Sequence, residues 1–92
     1  MTEKMTKEEK EVRQYLKTYM LDESLSGYFY LLETILIQLK HPTPRLKGAL
    51  EETAMLHDMT KDSIRNAIRY CIKDTGITYR NLIIDCINEI RA

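Results

Sequence analysis

Apolar residues recur along most of this chain at the spacing of a helix, most cleanly in residues 59 to 72, MTKDSIRNAIRYCI. Ile64, Ala67, Ile68, Cys71 and Ile72 fall at i, i+3, i+4, i+7 and i+8, one apolar stripe on a period of about 3.6 residues. Off that stripe lie Arg65, Asn66, Arg69, Tyr70 and Lys73, all long or hydrogen-bonding side chains. The same spacing puts Val12, Tyr15, Leu16, Tyr19 and Met20 on one face of a helix from roughly Thr6 to Met20. GYFYLLETILIQLK is apolar on more than one side and predicts the central, most buried helix. In TYRNLIIDCINEIR, Leu82, Ile83, Cys86, Ile87 and Ile90 point inward from a last helix. No segment shows the alternation of a strand.

The breaks between these stripes fix the element ends. LDES interrupts the first stripe, and Ser24 or Ser26 can cap the helix that follows. His41-Pro42-Thr43-Pro44 ends that helix, because a residue before proline is pushed out of the α region. Thr43 then serves as N-cap and Pro44 as first residue of a helix running to about His57. After a short HDMT turn Thr60 caps the next helix, and Gly76 supplies its left-handed C-cap. The expected fold is all-α, about five helices, with a central helix-turn-helix at about 43–75. Small Ala54 suits the close crossing of that pair, and Ile64 plugs the core ten residues later. Residues 12–92 form the domain. Residues 1–11 read as a charged extension, either a frayed helical end or an arm that binds a partner or dimerises.

Composition narrows the function classes. Ninety-two residues suffice for one modest core, and 43% hydrophobic with 30% charged residues is a globular balance that argues against wholesale disorder. No apolar run approaches the roughly 18 residues of a membrane span, and MTEKMTKEEKE lacks the apolar core of a signal peptide. A cytoplasmic protein with no membrane partner is expected. Cys71 and Cys86 sit on apolar stripes, where cysteine acts as a small hydrophobe; a disulfide or metal role is the alternative. CxxC, HExxH, GxSxG and Gly-rich phosphate loops do not occur, and His41 and His57 have no second ligand at metal spacing. Neither an enzyme nor a bound cofactor is expected.

Net charge is zero, yet the charges are unevenly spread. Lys61, Arg65, Arg69 and Lys73 face only Asp62 within residues 61 to 73, while Glu3, Glu8, Glu9 and Glu11 gather near the start. Spaced by four, the basic residues drift about 40° per step and form one slanted ridge. A solvated helix face is the plain explanation of such a ridge. Its place on the second helix of the pair, the one that enters the major groove in this motif, favours nucleic acid. Tyr15, Tyr19, Tyr28 and Tyr30 read as core-edge packing with wet hydroxyls in preference to a stacking surface. Tyr70 is open between a DNA contact and plain exposure.

SLSGYFYLLETI, LHDMTKDSIRNAIRYCI and TYRNLIIDCINEIR together resemble the C-terminal effector domain of the master response regulators of endospore formation, the sporulation stage zero protein A family. Gly27, Tyr28, Tyr30 and Leu31, then Ala54, then Ala67, Ile68 and Arg69 stand where that family's pattern has its matching residues. The resemblance covers most of the chain. It implies an all-helical domain that binds promoters by reading a short asymmetric box. This chain reads as standalone, without a receiver domain, and its link between recognition helix and last helix is little more than KDTGI. Glu51-Glu52 replaces a family Tyr-Pro, and Arg65-Asn66 replaces a family Glu-Arg.

The expected function is a sequence-specific, double-stranded DNA-binding transcription regulator that reads the major groove with helix 60–75. Its DNA-binding residues are Lys61, Asp62, Arg65, Asn66, Arg69, Tyr70 and Lys73. Arg65, Asn66 and Arg69 are expected to read bases and Lys61 and Lys73 to hold phosphates. A homodimer on DNA, RNA polymerase and a related full-length regulator complete the expected partners. The alternative is an interaction protein, an antagonist of a full-length regulator that never binds DNA.

Overall fold

A computed structural model describes residues 6–42 and 46–92. Within them the chain forms α1 (Lys7–Lys17), α2 (Ser26–Lys40), α3 (Lys47–Leu56), α4 (Lys61–Ile72) and α5 (Tyr79–Arg91), and no strand. None of these helices is long and apolar enough to cross a membrane.

Three of the five begin at a threonine. Thr6, Thr60 and Thr78 each accept a hydrogen bond from the amide three residues on, Glu9, Ser63 and Asn81 respectively, which satisfies one of the free donors of a helix start. Glu8 and Glu9 stand in the first turn of α1 and Lys17 in its last, the favourable order for the helix dipole. Lys7–Glu11, read above as an extension, is therefore the opening of α1. Val12 and Leu16 are fully buried. The helix ends before the expected Met20, which lies at a positive φ and is exposed instead of joining the stripe.

Neither Ser24 nor Ser26 caps α2. Ser24 is taken by Asp22, whose Oδ1 accepts both its amide (3.0 Å) and its hydroxyl (2.6 Å), and these bonds hold the Asp22 carboxyl below its usual pKa. Ser26 is already the first residue of the helix, behind an uncapped Leu25. α2 is the hub, touching all four other helices. Its buried residues, among them Gly27, Tyr28, Leu31, Leu32, Ile35 and Leu39, share one face, an arc of roughly 160°, while Tyr30, Leu36 and Ile37 on the other side are partly buried. Gly27 lies against α4 so closely that an added Cβ would sit 2.1 Å from the carbonyl oxygen of Ala67. α2 ends at His41, before Pro42.

Thr43 and Pro44, the expected start of the next helix, lie outside the described residues. α3 closes on a left-handed Asp58 (φ 53°), with the Asp58 amide donating to Met55 O (3.2 Å) and the Met59 amide to Ala54 O (2.9 Å). This pair of hydrogen bonds past the helix end makes the tight turn into α4. Ala54 and Ile64 are both buried, as the helix-turn-helix spacing requires. α2 and α3 are joined in the core by two hydroxyls: Thr34 and Thr53 lie 2.9 Å apart, each also against a carbonyl four residues back, of Tyr30 (2.7 Å) and of Ala49 (3.0 Å).

α4 ends at Ile72, earlier than the expected residue 75. Gly76 is left-handed (φ 78°), but it follows the cap residue Lys73 by three positions and turns the chain toward α5 instead of capping α4. α5 buries Leu82, Ile83 and Cys86, packs on α1, α2 and α4, and ties its end to α2 where Arg91 donates to Leu39 O (2.9 Å). Tyr15, Tyr19 and Tyr30 pack at the core edge as expected, whereas Tyr28 is wholly buried, hydroxyl included. Burial pushes the Tyr28 phenol up.

Candidate nucleic-acid interface

The outward half of α4 inherits its geometry from the inward half. Ile64, Ile68, Cys71 and Ile72 are buried against the hub, so the remaining positions turn to solvent or to the flanks. Because each step of four advances about 40°, the basic ridge begins on the flank and finishes facing out. Lys61 and Arg65 are half-buried, and Arg69 and Lys73 are exposed.

Arg65 departs from expectation. It does not face outward: its Nη2 pairs with Asp62, its side chain is 30% exposed, and it lies on the flank that looks toward α3 and α5. Asp62 is fully outside and serves as that partner. Asn66 is exposed on the free face beside Arg69. The Arg69 guanidinium sits 5.7 Å above the ring of Tyr79, the first residue of α5. Such stacking holds a flexible arginine in place while leaving its donor edge open. Tyr70 is 60% exposed, with the Lys73 ammonium 5.3 Å from its ring centre. Lys73 is also 3.9 Å from Asp74, an exposed pair of little energetic weight.

The structure thus brings Asp62, Asn66, Arg69, Tyr70 and Lys73 to one open face and sets Lys61 and Arg65 along its edge. It adds three residues that the sequence did not single out. Tyr79 supports Arg69, and Lys47 and Arg80, from the starts of α3 and α5, join Lys61 and Arg65 around a small cavity. No local pattern marks these three, because their neighbours come from other helices.

The other candidate chemistry lies apart. Cys71 and Cys86 are free, buried thiols, and burial pushes both up, Cys86 to about 12. His57, at the end of α3, pairs through Nε2 with Glu33 and stacks edge-on to Tyr30 at 4.9 Å, pinning the helix-turn-helix turn to α2. Among the described residues no three His, Cys, Asp or Glu side chains converge to hold a metal. What α4's open face offers is recognition chemistry: one donor fork, an ammonium, an amide and an aromatic ring on a helix fixed by its far side. Compared with known proteins, the chain matches no family model, no curated protein and no solved structure.

Proposed function

We propose that this protein is a sequence-specific, double-stranded DNA-binding transcription regulator that lays α4 in the major groove, as the resemblance to the sporulation effector domains implies. The observation that carries the reading is the open face of α4, where Asn66, Arg69 and Lys73 stand exposed on a helix whose opposite side is packed into the core. Arginine pairs bidentately with guanine O6 and N7, and asparagine with adenine N6 and N7. Arg69, held over Tyr79, is the guanine reader, Asn66 the adenine reader, and Lys61, Lys73 and Tyr70 face the sugar–phosphate backbone. A part in sporulation rests on the resemblance alone.

Selection of bound sites from random duplexes, with Arg69→Ala selected in parallel, tests this. Wild type is expected to enrich a short box, and Arg69→Ala to lose one guanine preference worth about 1–3 kcal/mol. Recovery of the same box from both proteins removes Arg69 as a reader.

The interaction-protein reading has an observation of its own in Met55 and Leu56, 81% and 63% exposed at the end of α3. Apolar side chains so open suit a protein partner. Failure to enrich any duplex, together with capture of a full-length regulator through this face, decides for that reading.

A further inference from the structure

We propose that the cavity where α3, α4 and α5 begin is a seat for one phosphate group. The cavity holds about 200 Å³, and four cations line it: Lys47 from α3, Lys61 and Arg65 from α4, and Arg80 from α5. Leu50 and the Tyr79 ring supply apolar wall, and no carboxylate lines it. Arg65 is partly balanced by Asp62, whereas Lys47, Lys61 and Arg80 bring like charges to one small space, a positive potential that an anion seated among them would relieve.

The backbone points the same way. Lys47, Lys61 and Tyr79 all line the cavity, and at Lys61 and Tyr79 the threonine-capped starts of α4 and α5 carry the positive ends of their helix dipoles. In α4 and α5 the threonine caps occupy only the third amides, Ser63 and Asn81. The amides of Lys61, Asp62, Tyr79 and Arg80 lie earlier in their helices, where no intrahelical acceptor exists. Arg65 adds an independent sign. Asp62 takes one hydrogen of its Nη2, while its Nε is buried and has no hydrogen-bond partner among the described residues. A charged donor left so is costly, and a tetrahedral anion brings several acceptors at once.

The DNA reading supplies the source: a backbone phosphodiester beside the groove that α4 enters. On this account Arg65 holds backbone instead of reading a base, and α5 takes part in binding through Arg80. A free phosphoryl compound has the same chemistry, and the two sources separate by experiment.

Duplex affinity is measured against salt for wild type, Lys47→Ala and Arg80→Ala, with Lys40→Ala, on the far end of α2, as charge control. Circular dichroism melts confirm that each variant folds. In parallel, the backbone amide resonances of Lys61, Tyr79 and Arg80 are followed as inorganic phosphate is added at constant ionic strength. The expected result is a loss of about tenfold for every duplex sequence in the two cavity variants, with the log–log salt slope flattened by about 0.9 for each, and no change for Lys40→Ala. If wild type binds duplex and both cavity variants match it in affinity and slope, the seat is wrong and the DNA reading stands. If duplex is not bound but phosphate saturably shifts these amides, and Arg80→Ala abolishes the shift, the seat stands for a free phosphoryl compound and the DNA reading falls. Neither duplex binding nor a phosphate shift overturns both.

Discussion

Four residues after its capping threonine, α4 presents Ile64 and α5 presents Leu82, and both are fully buried. Each helix also carries a cysteine on its inner side, Cys71 and Cys86. Outside, they part company. α4 with its cap residue shows Lys61, Arg65, Arg69 and Lys73 against Asp62, whereas α5 balances Arg80 and Arg91 with Asp85 and Glu89. Cap and stripe state only that a helix forms and which side is buried. What it can touch is written on the other side, and by what stands beside it: α4 has an aromatic ring and two further cations along its flank. The inner solution is shared, and the outer chemistry is free to differ.

The sharpest break in this comparison comes from charging an inner and an outer position alike. Ile64→Asp places a carboxylate at a fully buried site of α4. The burial costs several kcal/mol against a total stability on the order of 5–15 kcal/mol, so loss of the cooperative thermal transition is expected. Ile84→Asp, on the outer face of α5 where the isoleucine is 43% exposed, should shift the midpoint by no more than a few degrees. Equal melts for the two would void the assignment of inner and outer sides.

A smaller effect isolates the docking of α4 on the hub. Gly27→Ala brings a Cβ against the backbone of Ala67, which cannot swing aside as a side chain would. A loss of about 1–3 kcal/mol in urea unfolding is expected. An unchanged midpoint would mean that α2 and α4 approach less closely than described.

The smallest effect at neutral pH compares the two thiols. Both are held neutral by burial, Cys86 up to about 12 from an ordinary 9.0. A raised acid favours the folded state below its unfolded pKa and loses that advantage as pH climbs to the folded one. Stability should therefore hold below about pH 9 and decline toward pH 12. Urea midpoints between pH 8 and 11 should fall less steeply for Cys86→Ala than for wild type, with Cys71→Ala between them. Parallel lines for all three proteins would leave the decline to other groups, the half-buried Tyr15 phenol among them.

These helices were legible because periodicity is local. Ile64, Ile68 and Ile72 announce their face by spacing alone, as do Leu82, Ile83 and Cys86. Pro42 marks a helix end through the sterics of one neighbour. Ser24 misled because Asp22, two residues away, competes for the same hydroxyl and amide. Gly27 gave no local sign of its task, since the atom that forbids a side chain there belongs to Ala67, forty residues on. At the candidate site the outward Asn66, Arg69 and Lys73 follow from the wheel. The flank position of Arg65 needed the slant of the ridge to be carried through to its start, and Tyr79 and Arg80 needed the whole packing.

The hydroxyls that join α2 to α3 pose a small problem in counting hydrogens. Thr34 and Thr53 bring two protons, yet the three short contacts among them and the carbonyls of Tyr30 and Ala49 call for three. Only two can be made at a time. Each threonine can donate to its own carbonyl, Thr34 to Tyr30 and Thr53 to Ala49; or Thr34 donates to Tyr30 and accepts from Thr53; or Thr34 donates to Thr53, which then donates to Ala49. The heavy atoms need not move between these states; turns of the two O–H bonds exchange them. A valine at either site would remove the choice by removing a proton. In the buried core, one joint keeps a small set of orientations that proton positions alone distinguish.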